Sequence, residues 1–245
     1  MTDDRQKGHL HPLTIVIDEI TNFFLKWGFS ITRGPEREDE WHNFDALNVP
    51  ADHPARDMQD TFWLLPLKER KLLRTHTSPV QIRYMKVNKP PFRIISPGRV
   101  FRNEATDATH EAQFCQVEGL MMDKEVTLAN LKGILEEFCK EIFGPRTNIR
   151  IRPSFFPFVE PGLEVDVSCF KCLGQGCPLC KNSGWIEIMG AGLVHPNVLK
   201  AVKIDSNAWR GFAFGLGPDR IAMIKYGLDD VRLFYGGDLR FNEQF

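Results

Sequence analysis

The chain has 245 residues, 42% of them hydrophobic and 26% charged, with a formal net charge of −1 at pH 7. That composition belongs to a globular protein with a sizeable core, and its near-neutral charge gives no whole-molecule attraction to nucleic acid. No apolar run is long enough to span a bilayer, and the opening Met1-Thr2-Asp3-Asp4-Arg5 lacks the layout of a signal peptide, so no membrane is expected and the cytoplasm is the expected compartment.

Residues 1–11 are polar and read as loose. From Pro12 the apolar residues Leu13, Ile17, Ile20, Phe24 and Trp27 recur at helical spacing, with Pro12 suited to the first turn and Gly28 to the position past the end. Phe29 to Thr32 alternates like a strand and stops at Gly34-Pro35. Residues 41–62 read as a long loop, and 73–87 as a helix beginning after Thr75-His76-Thr77-Ser78-Pro79. Strand-like runs come next at Phe92–Ile95, Arg99–Arg102 and Gln113–Met122.

An amphipathic helix over 127–143 turns Leu128, Leu131, Leu135, Phe138 and Ile142 inward. Strands are expected at Asn148–Arg152, Phe155–Val159, Glu164–Val167 and Trp185–Met189, and a short helix at Val198–Val202. The end, Phe212–Leu216 and then Asp219–Tyr226, reads as strand, glycine turn and helix. Helices and strands do not alternate as βαβ units, which favours an α+β domain built on a mostly antiparallel sheet flanked by helices.

Three segments carry chemistry. In Phe101-Arg102-Asn103-Glu104, an arginine beside a hairpin loop offers a planar fork of donors to a phosphate, although a lone Arg-x-Glu is more often a cross-strand ion pair. In Phe212-Ala213-Phe214-Gly215-Leu216-Gly217-Pro218-Asp219-Arg220, glycines allow close backbone approach at a helix N-terminus, with Arg220 in the first turn. Cys169-x-x-Cys172-x4-Cys177-x-x-Cys180, a hairpin insert over 168–184, can bring four thiolates to one tetrahedral zinc; four reduced thiols or a remnant site are the alternatives.

The helix and strand ending in proline, then Phe-Arg-x-Glu, then Gly-x-Gly-x-x-Arg resemble in order the three motifs of class II aminoacyl-tRNA synthetases. Asn43–Asn48, His53–Arg56, Leu73–Ser78, Thr106–His110, Gln116–Gly119, Phe155–Pro161 and Asp238–Phe245 narrow the likeness to the phenylalanyl-tRNA synthetase α-subunit family of bacteria. The resemblance implies one class II catalytic domain over 1–245, which activates L-phenylalanine with ATP and magnesium and transfers it to tRNA(Phe). It also implies a β-subunit partner in an (αβ)₂ assembly that carries proofreading, with the Leu13–Trp27 helix as a contact. The family's N-terminal helical arm, which reaches tRNA, is not read here, since family-like sequence begins at Gly8-His9-Leu10-His11-Pro12.

By the same resemblance, Arg102 holds the α-phosphate and Arg220 the far end of a bent ATP. Glu104 lies on the adenine side, and His110 assists the phosphates. His76, Ser78, Gln116 and Glu118 form the polar end of the amino-acid pocket, Phe156 and Phe158 stack on the substrate ring, and Ala213 and Gly215 floor it. Glu160 is a magnesium ligand shared with the partner. Zinc at the cysteines is structural, because some members of the family lack them. Position 115 is cysteine where the family commonly has histidine. Two other readings are a stand-alone paralogue that adenylates for another acceptor and a non-catalytic module; the intact Arg102, Glu104, Gln116, Glu118 and Arg220 argue against the second.

Overall fold

The structure, a computed structural model, describes residues 8–169 and 171–245. Residues 1–7 of the expected loose N-terminus lie outside the described residues. The segment just after them is tied down: His9 Nδ1 lies 3.0 Å from the Phe245 carbonyl and His11 Nε2 2.9 Å from that of Phe234.

Helix α1 runs Pro12–Lys26, capped by the His11 side chain, which accepts from the Leu13 N–H at 3.2 Å. It ends as expected at Gly28 (φ 80°): the Gly28 and Phe29 N–H groups reach back to Leu25 and Phe24, closing the last carbonyls. The buried stripe is Leu13, Val16, Ile20, Phe23 and Phe24. Trp27 is corrected: it is the capping residue beyond the helix, 42% exposed, its ring against Phe23.

Strand β1 (Ser30–Ile31) is only two residues long. β2 (Arg37–Asp39) pairs with β3 (Lys71–Leu73) in a small antiparallel sheet. The stretch expected as loop contains helix α2 (Glu40–Asn43) and 3₁₀ turns at Asp45–Leu47 and Pro54–Arg56, because Phe44, Ala46, Leu47 and Val49 are buried and need backbone partners there. Helix α3 spans Ser78–Val87, starting two residues earlier than read, with its proline in the first turn.

β4 is one strand, Phe92–Phe101, where the sequence suggested two. β1 covers β4 only at Ile94 and Ile95, so Pro97 lies on an open edge where a missing N–H is tolerated. β5 (Gln113–Asp123) pairs along it. Helix α4 (Leu128–Phe143) starts with a reciprocal Thr127–Asn130 cap and buries Leu131, Ile134, Leu135, Phe138 and Cys139. β6 (Ile149–Phe156) and β7 (Val159–Ser168) replace the strand expected over Phe155–Val159; Pro157-Phe158 is the turn between them. β8 (Trp185–Val194), α5 (Pro196–Ala201), β9 (Arg210–Leu216), α6 (Pro218–Tyr226) and α7 (Leu239–Asn242) complete the chain.

The main sheet has the order β1-β4-β5-β9-β8-β7-β6 and is antiparallel except for β1 on β4. Helices α1, α4 and α6 cover one face, where Phe212, Phe214 and Leu216 join their core; Phe24 stacks on Phe214 at 4.8 Å and on Phe138 at 5.2 Å. Helices α3 and α5 and the 44–49 segment pack on the opposite face with Ala213. Period-two alternation along β9 sorts those residues between the two faces. The apolar stripe of α1 therefore faces the core of this domain.

Candidate active site

The face under α3 and α5 opens into a cavity of about 550 Å³. Gln116 and Glu118 are two apart in β5, Ala213 and Gly215 are two apart in β9, and the register places Glu118 opposite Gly215. All four therefore share one face, and all four line the cavity.

The Glu118 carboxylate is buried, and two donors converge on its Oε2: Ser78 Oγ at 2.6 Å and Gln81 Nε2 at 2.8 Å. Burial pushes the Glu118 pKa above its ordinary value, against hydrogen bonds from Ser78, Thr77 and Gln81 that favour the carboxylate. Gln116 Oε1 accepts the Thr77 N–H at 3.3 Å, which leaves its amide donors for the cavity. This is an acceptor site for a cation.

The side toward β8 is aromatic, where a Cβ on Gly190 would meet the Phe156 ring. Phe156 and Phe158 stack with ring centroids 6.0 Å apart and planes 25° apart, and His76 lies 6.3 Å from Phe158. Both phenylalanines reach the cavity as expected, but the reason differs. Phe156 ends β6 while Phe158 sits in the turn, so turn geometry rather than strand alternation brings the rings together.

On the β4 side of Glu118 the lining is cationic. Arg102 Nε donates to the Thr75 carbonyl at 3.3 Å, and the guanidinium lies 4.9 Å over Phe114. Behind it Arg74 is buried with no carboxylate in contact among the described residues. Its Nε donates to the Arg99 carbonyl at 2.7 Å and its Nη1 to that of Gly34 at 3.2 Å. A Cβ at Gly98 would meet Arg74 Nη2 at 2.1 Å, so that approach needs a glycine. Burial, together with the Arg102 and Arg74 charges, drives the His76 pKa down to about 3 and keeps its imidazole neutral; the buried Nδ1 has no partner among the described residues.

Glu104 lines the cavity near Arg102, as does Asp60. Arg220, His110 and Glu160 are exposed and are not among the lining residues. His110 Nδ1 lies 3.0 Å from both oxygens of Asp107, which assigns its proton to that nitrogen. Arg220 stands one residue after Asp219, whose buried carboxylate accepts the Cys115 N–H at 2.9 Å and the Tyr235 hydroxyl.

Two groups of three or more clustered ligand-type side chains occur among the described residues: the four cysteines, and Glu38 with Asp39 and His42. The second is already committed, Glu38 to a bidentate Arg83 and Asp39 to His42. Glu160 belongs to neither. Sequence reading missed Gln81, Arg74 and Asp219. Gln81 had a usable signal, lying three residues after Ser78 on one helix face; the other two act across long stretches of chain and had none.

The family model of the tRNA synthetases class II core domain (F) matches residues 1–245. The phenylalanine–tRNA ligase alpha subunit of Caldanaerobacter subterraneus subsp. tengcongensis is 57% identical over 238 residues, 97% of this chain and 69% of that protein. That of Anoxybacillus flavithermus is 56% identical over 242 residues, 98% of this chain and 70% of that protein. The crystal structure of pyrrolysyl-tRNA synthetase from Desulfitobacterium hafniense matches with a TM-score of 0.70 over 94% of this chain and 75% of that one. At 17% identity, this is a likeness of fold alone.

Proposed function

The chain belongs to the tRNA synthetases class II core domain family, and from that membership we propose how its cavity works as the catalytic site of a phenylalanine–tRNA ligase. Phenylalanine joins ATP to form the aminoacyl-adenylate, and the terminal adenosine of tRNA(Phe) then takes the aminoacyl group.

One observation carries the residue roles. Across the sheet the buried Glu118 carboxylate on β5 lies between half-buried Arg102, just past β4, and Phe156, which packs over Gly190 of β8, all in a single cavity. An ammonium and a carboxylate on one carbon, between an aromatic ring and a polyphosphate, require that order. The ammonium meets Glu118, with Ser78 and Gln116 as neighbours, and neutral His76 adds an uncharged wall. The ring packs against the Phe156–Phe158 pair, over the small floor of Ala213 and Gly215; aromatic contacts of this kind favour offset or edge geometry.

The substrate carboxylate attacks the α-phosphorus, the bond to pyrophosphate breaks, and negative charge builds on the phosphoryl oxygens. Arg102 faces that charge from a half-buried position held by its bond to the Thr75 carbonyl and by Phe114 beneath it, where a preorganised cation acts most strongly. Both reactants are already ionised, so alignment replaces a general base. In the second step the adenosine hydroxyl attacks the carbonyl carbon and AMP leaves. Glu104 takes the adenine side, and Arg220 and His110 reach in from the rim to the outer phosphates.

Class II synthetases use ATP with magnesium, and the metal here enters as part of the nucleotide substrate. Glu160 supplies a single carboxylate, so its share in a magnesium site depends on ligands from a partner. A β subunit in an (αβ)₂ assembly is that partner. It also carries proofreading, because a hydrophobic ring pocket rejects an added hydroxyl by only about 10²-fold. Among the described residues no helix is long and apolar enough to cross a membrane, which fits a cytoplasmic place of work. None of the four clustered cysteines lines the cavity, and zinc has no step in this chemistry.

The test is phenylalanine-dependent ATP–pyrophosphate exchange by the chain alone and with the β subunit, with Arg102→Ala as control. Exchange that is lost in the variant supports the assignment. Failure of both phenylalanine and ATP to bind overturns it.

A further inference from the structure

The cysteine hairpin is the motif that aminoacylation leaves without a role. Its four sulfurs lie within 4.8 Å of one another at the tip of the β7–β8 hairpin. Three separations are 3.7 Å (Cys169–Cys177), 3.8 Å (Cys172–Cys180) and 3.7 Å (Cys177–Cys180). Bridged sulfurs would be about 2.05 Å apart, so these thiols are not disulfides. A tetrahedron with metal–sulfur bonds of about 2.3 Å has sulfur–sulfur edges of about 3.8 Å, the spacing seen here.

The backbone supplies a second, independent observation. Each Cys-x-x-Cys pair leads into the same turn. After Cys172 come Leu173 (φ 51°) and Gly174 (φ 85°); after Cys180 come Lys181 (φ 51°) and Asn182 (φ 60°), all left-handed. Four residues past each second cysteine a positive-φ glycine points its N–H at that cysteine's sulfur, Gly176 to Cys172 at 3.1 Å and Gly184 to Cys180 at 3.3 Å.

The two turns also pack reciprocally. A Cβ on Gly176 would meet the Asn182 carbonyl at 2.9 Å, and one on Gly184 would meet the Gly174 carbonyl at 2.3 Å. The hairpin tip is therefore a pair of equivalent knuckles packed against each other, with their four sulfurs gathered within 4.8 Å. Left-handed non-glycine residues are unfavourable in isolation, and N–H groups aimed at sulfur offset thiolate charge. Four bare thiols give neither feature a reason.

We propose that Cys169, Cys172, Cys177 and Cys180 bind one zinc ion as a closed, structural Cys₄ site. All four positions are filled by protein sulfur, which leaves no place for a reacting water. Four soft thiolates without histidine or carboxylate select zinc over magnesium. Cys169 and Cys180 belong to the main core cluster and Cys172 and Cys177 pack against it, so the ion clamps the hairpin tip onto the body of the domain.

The experiment is elemental analysis of the purified full chain, with X-ray absorption at the zinc edge. The expected result is one zinc per chain with four sulfur neighbours at about 2.3 Å. Cys172→Ser and Cys177→Ser should each lower zinc content at least several-fold, while Cys139→Ala should retain it. Because the serine variants can misfold, the wild-type chain is also exchanged into cobalt, which should give the absorption bands of a tetrahedral thiolate site. A folded chain with four freely titratable thiols at these positions and no bound metal overturns the proposal, as does stoichiometric iron in place of zinc.

Discussion

Replacing Glu118 by glutamine isolates the acceptor site of the cavity. The change keeps the shape, and the glutamine carbonyl can take over Oε2, which accepts Ser78 at 2.6 Å and Gln81 at 2.8 Å. The group left facing the substrate ammonium is then an amide NH₂, so one charge-assisted hydrogen bond becomes donor against donor. A hydrogen bond to a charged group contributes about 1.5–3 kcal/mol, which at about 1.4 kcal/mol per tenfold corresponds to a rise of roughly 10- to 150-fold in the KM for phenylalanine. The KM for ATP should stay within about twofold, because Arg102, Glu104, His110 and Arg220, and not Glu118, are the residues assigned to the nucleotide.

Stability should move the other way. Burial raises the Glu118 pKa in the folded chain, so ionisation of this group opposes folding at neutral pH. Stability from it is greatest below the unfolded pKa and falls as pH rises through the folded one. The uncharged variant should therefore melt at the same temperature as the parent or higher at pH 7. In the parent, phenylalanine binding should weaken as pH falls through that raised pKa, and the variant should lack this acid limb. Pyrophosphate exchange over a pH series, with calorimetry beside it, measures all of this. An unchanged KM for phenylalanine, or an equal rise for ATP, would refute the placement of the ammonium at Glu118.

Gly98→Ala should lower stability by about 1–3 kcal/mol, since Arg74 is buried and pinned by two carbonyls and cannot withdraw from the new methyl group; differential scanning calorimetry reads this as a drop of several degrees. Phe156→Ala should raise the KM for phenylalanine by roughly tenfold or more, through the lost aromatic pair at about 0.5–1.5 kcal/mol plus lost burial, and Phe156→Leu should recover part of it in exchange assays. Asp219→Ala leaves the Cys115 N–H and the Tyr235 hydroxyl without their acceptor, at about 1–3 kcal/mol for a buried orphan. Because Asp219 fixes the turn that carries Arg220, the KM for ATP should rise more than that for phenylalanine in steady-state kinetics.

Legibility tracked distance along the chain. The proline start and Gly28 end of α1, the glycine turn before α6 and the paired cysteines are decided within a few residues, and each was readable. Where reading failed, a neighbour from elsewhere had overruled local pattern. Pro97-Gly98 looks like a strand break, yet β4 continues through it because its outer edge has no sheet partner there. Residues 41–62 look structureless, yet Phe44 and Leu47 are core. Phe156 and Phe158 were paired correctly on a mistaken strand, since a strand and a tight turn can both bring rings two residues apart to one cavity.

The kinds of element, the order of the motifs and hence the family, and the grouping of the four cysteines are written in the sequence. Local backbone preference and short-range spacing carry that information. That Glu118 is held by Ser78 and Gln81, 40 and 37 residues away, and that Asp219 meets the Cys115 N–H across 104 residues follows from packing alone. The same holds for Arg74, which lies buried against Gly34 and Gly98. Those partners are chosen by strand register and by which face each helix covers. Both are set when the whole core packs, because a one-residue slip would turn every such side chain to the opposite face.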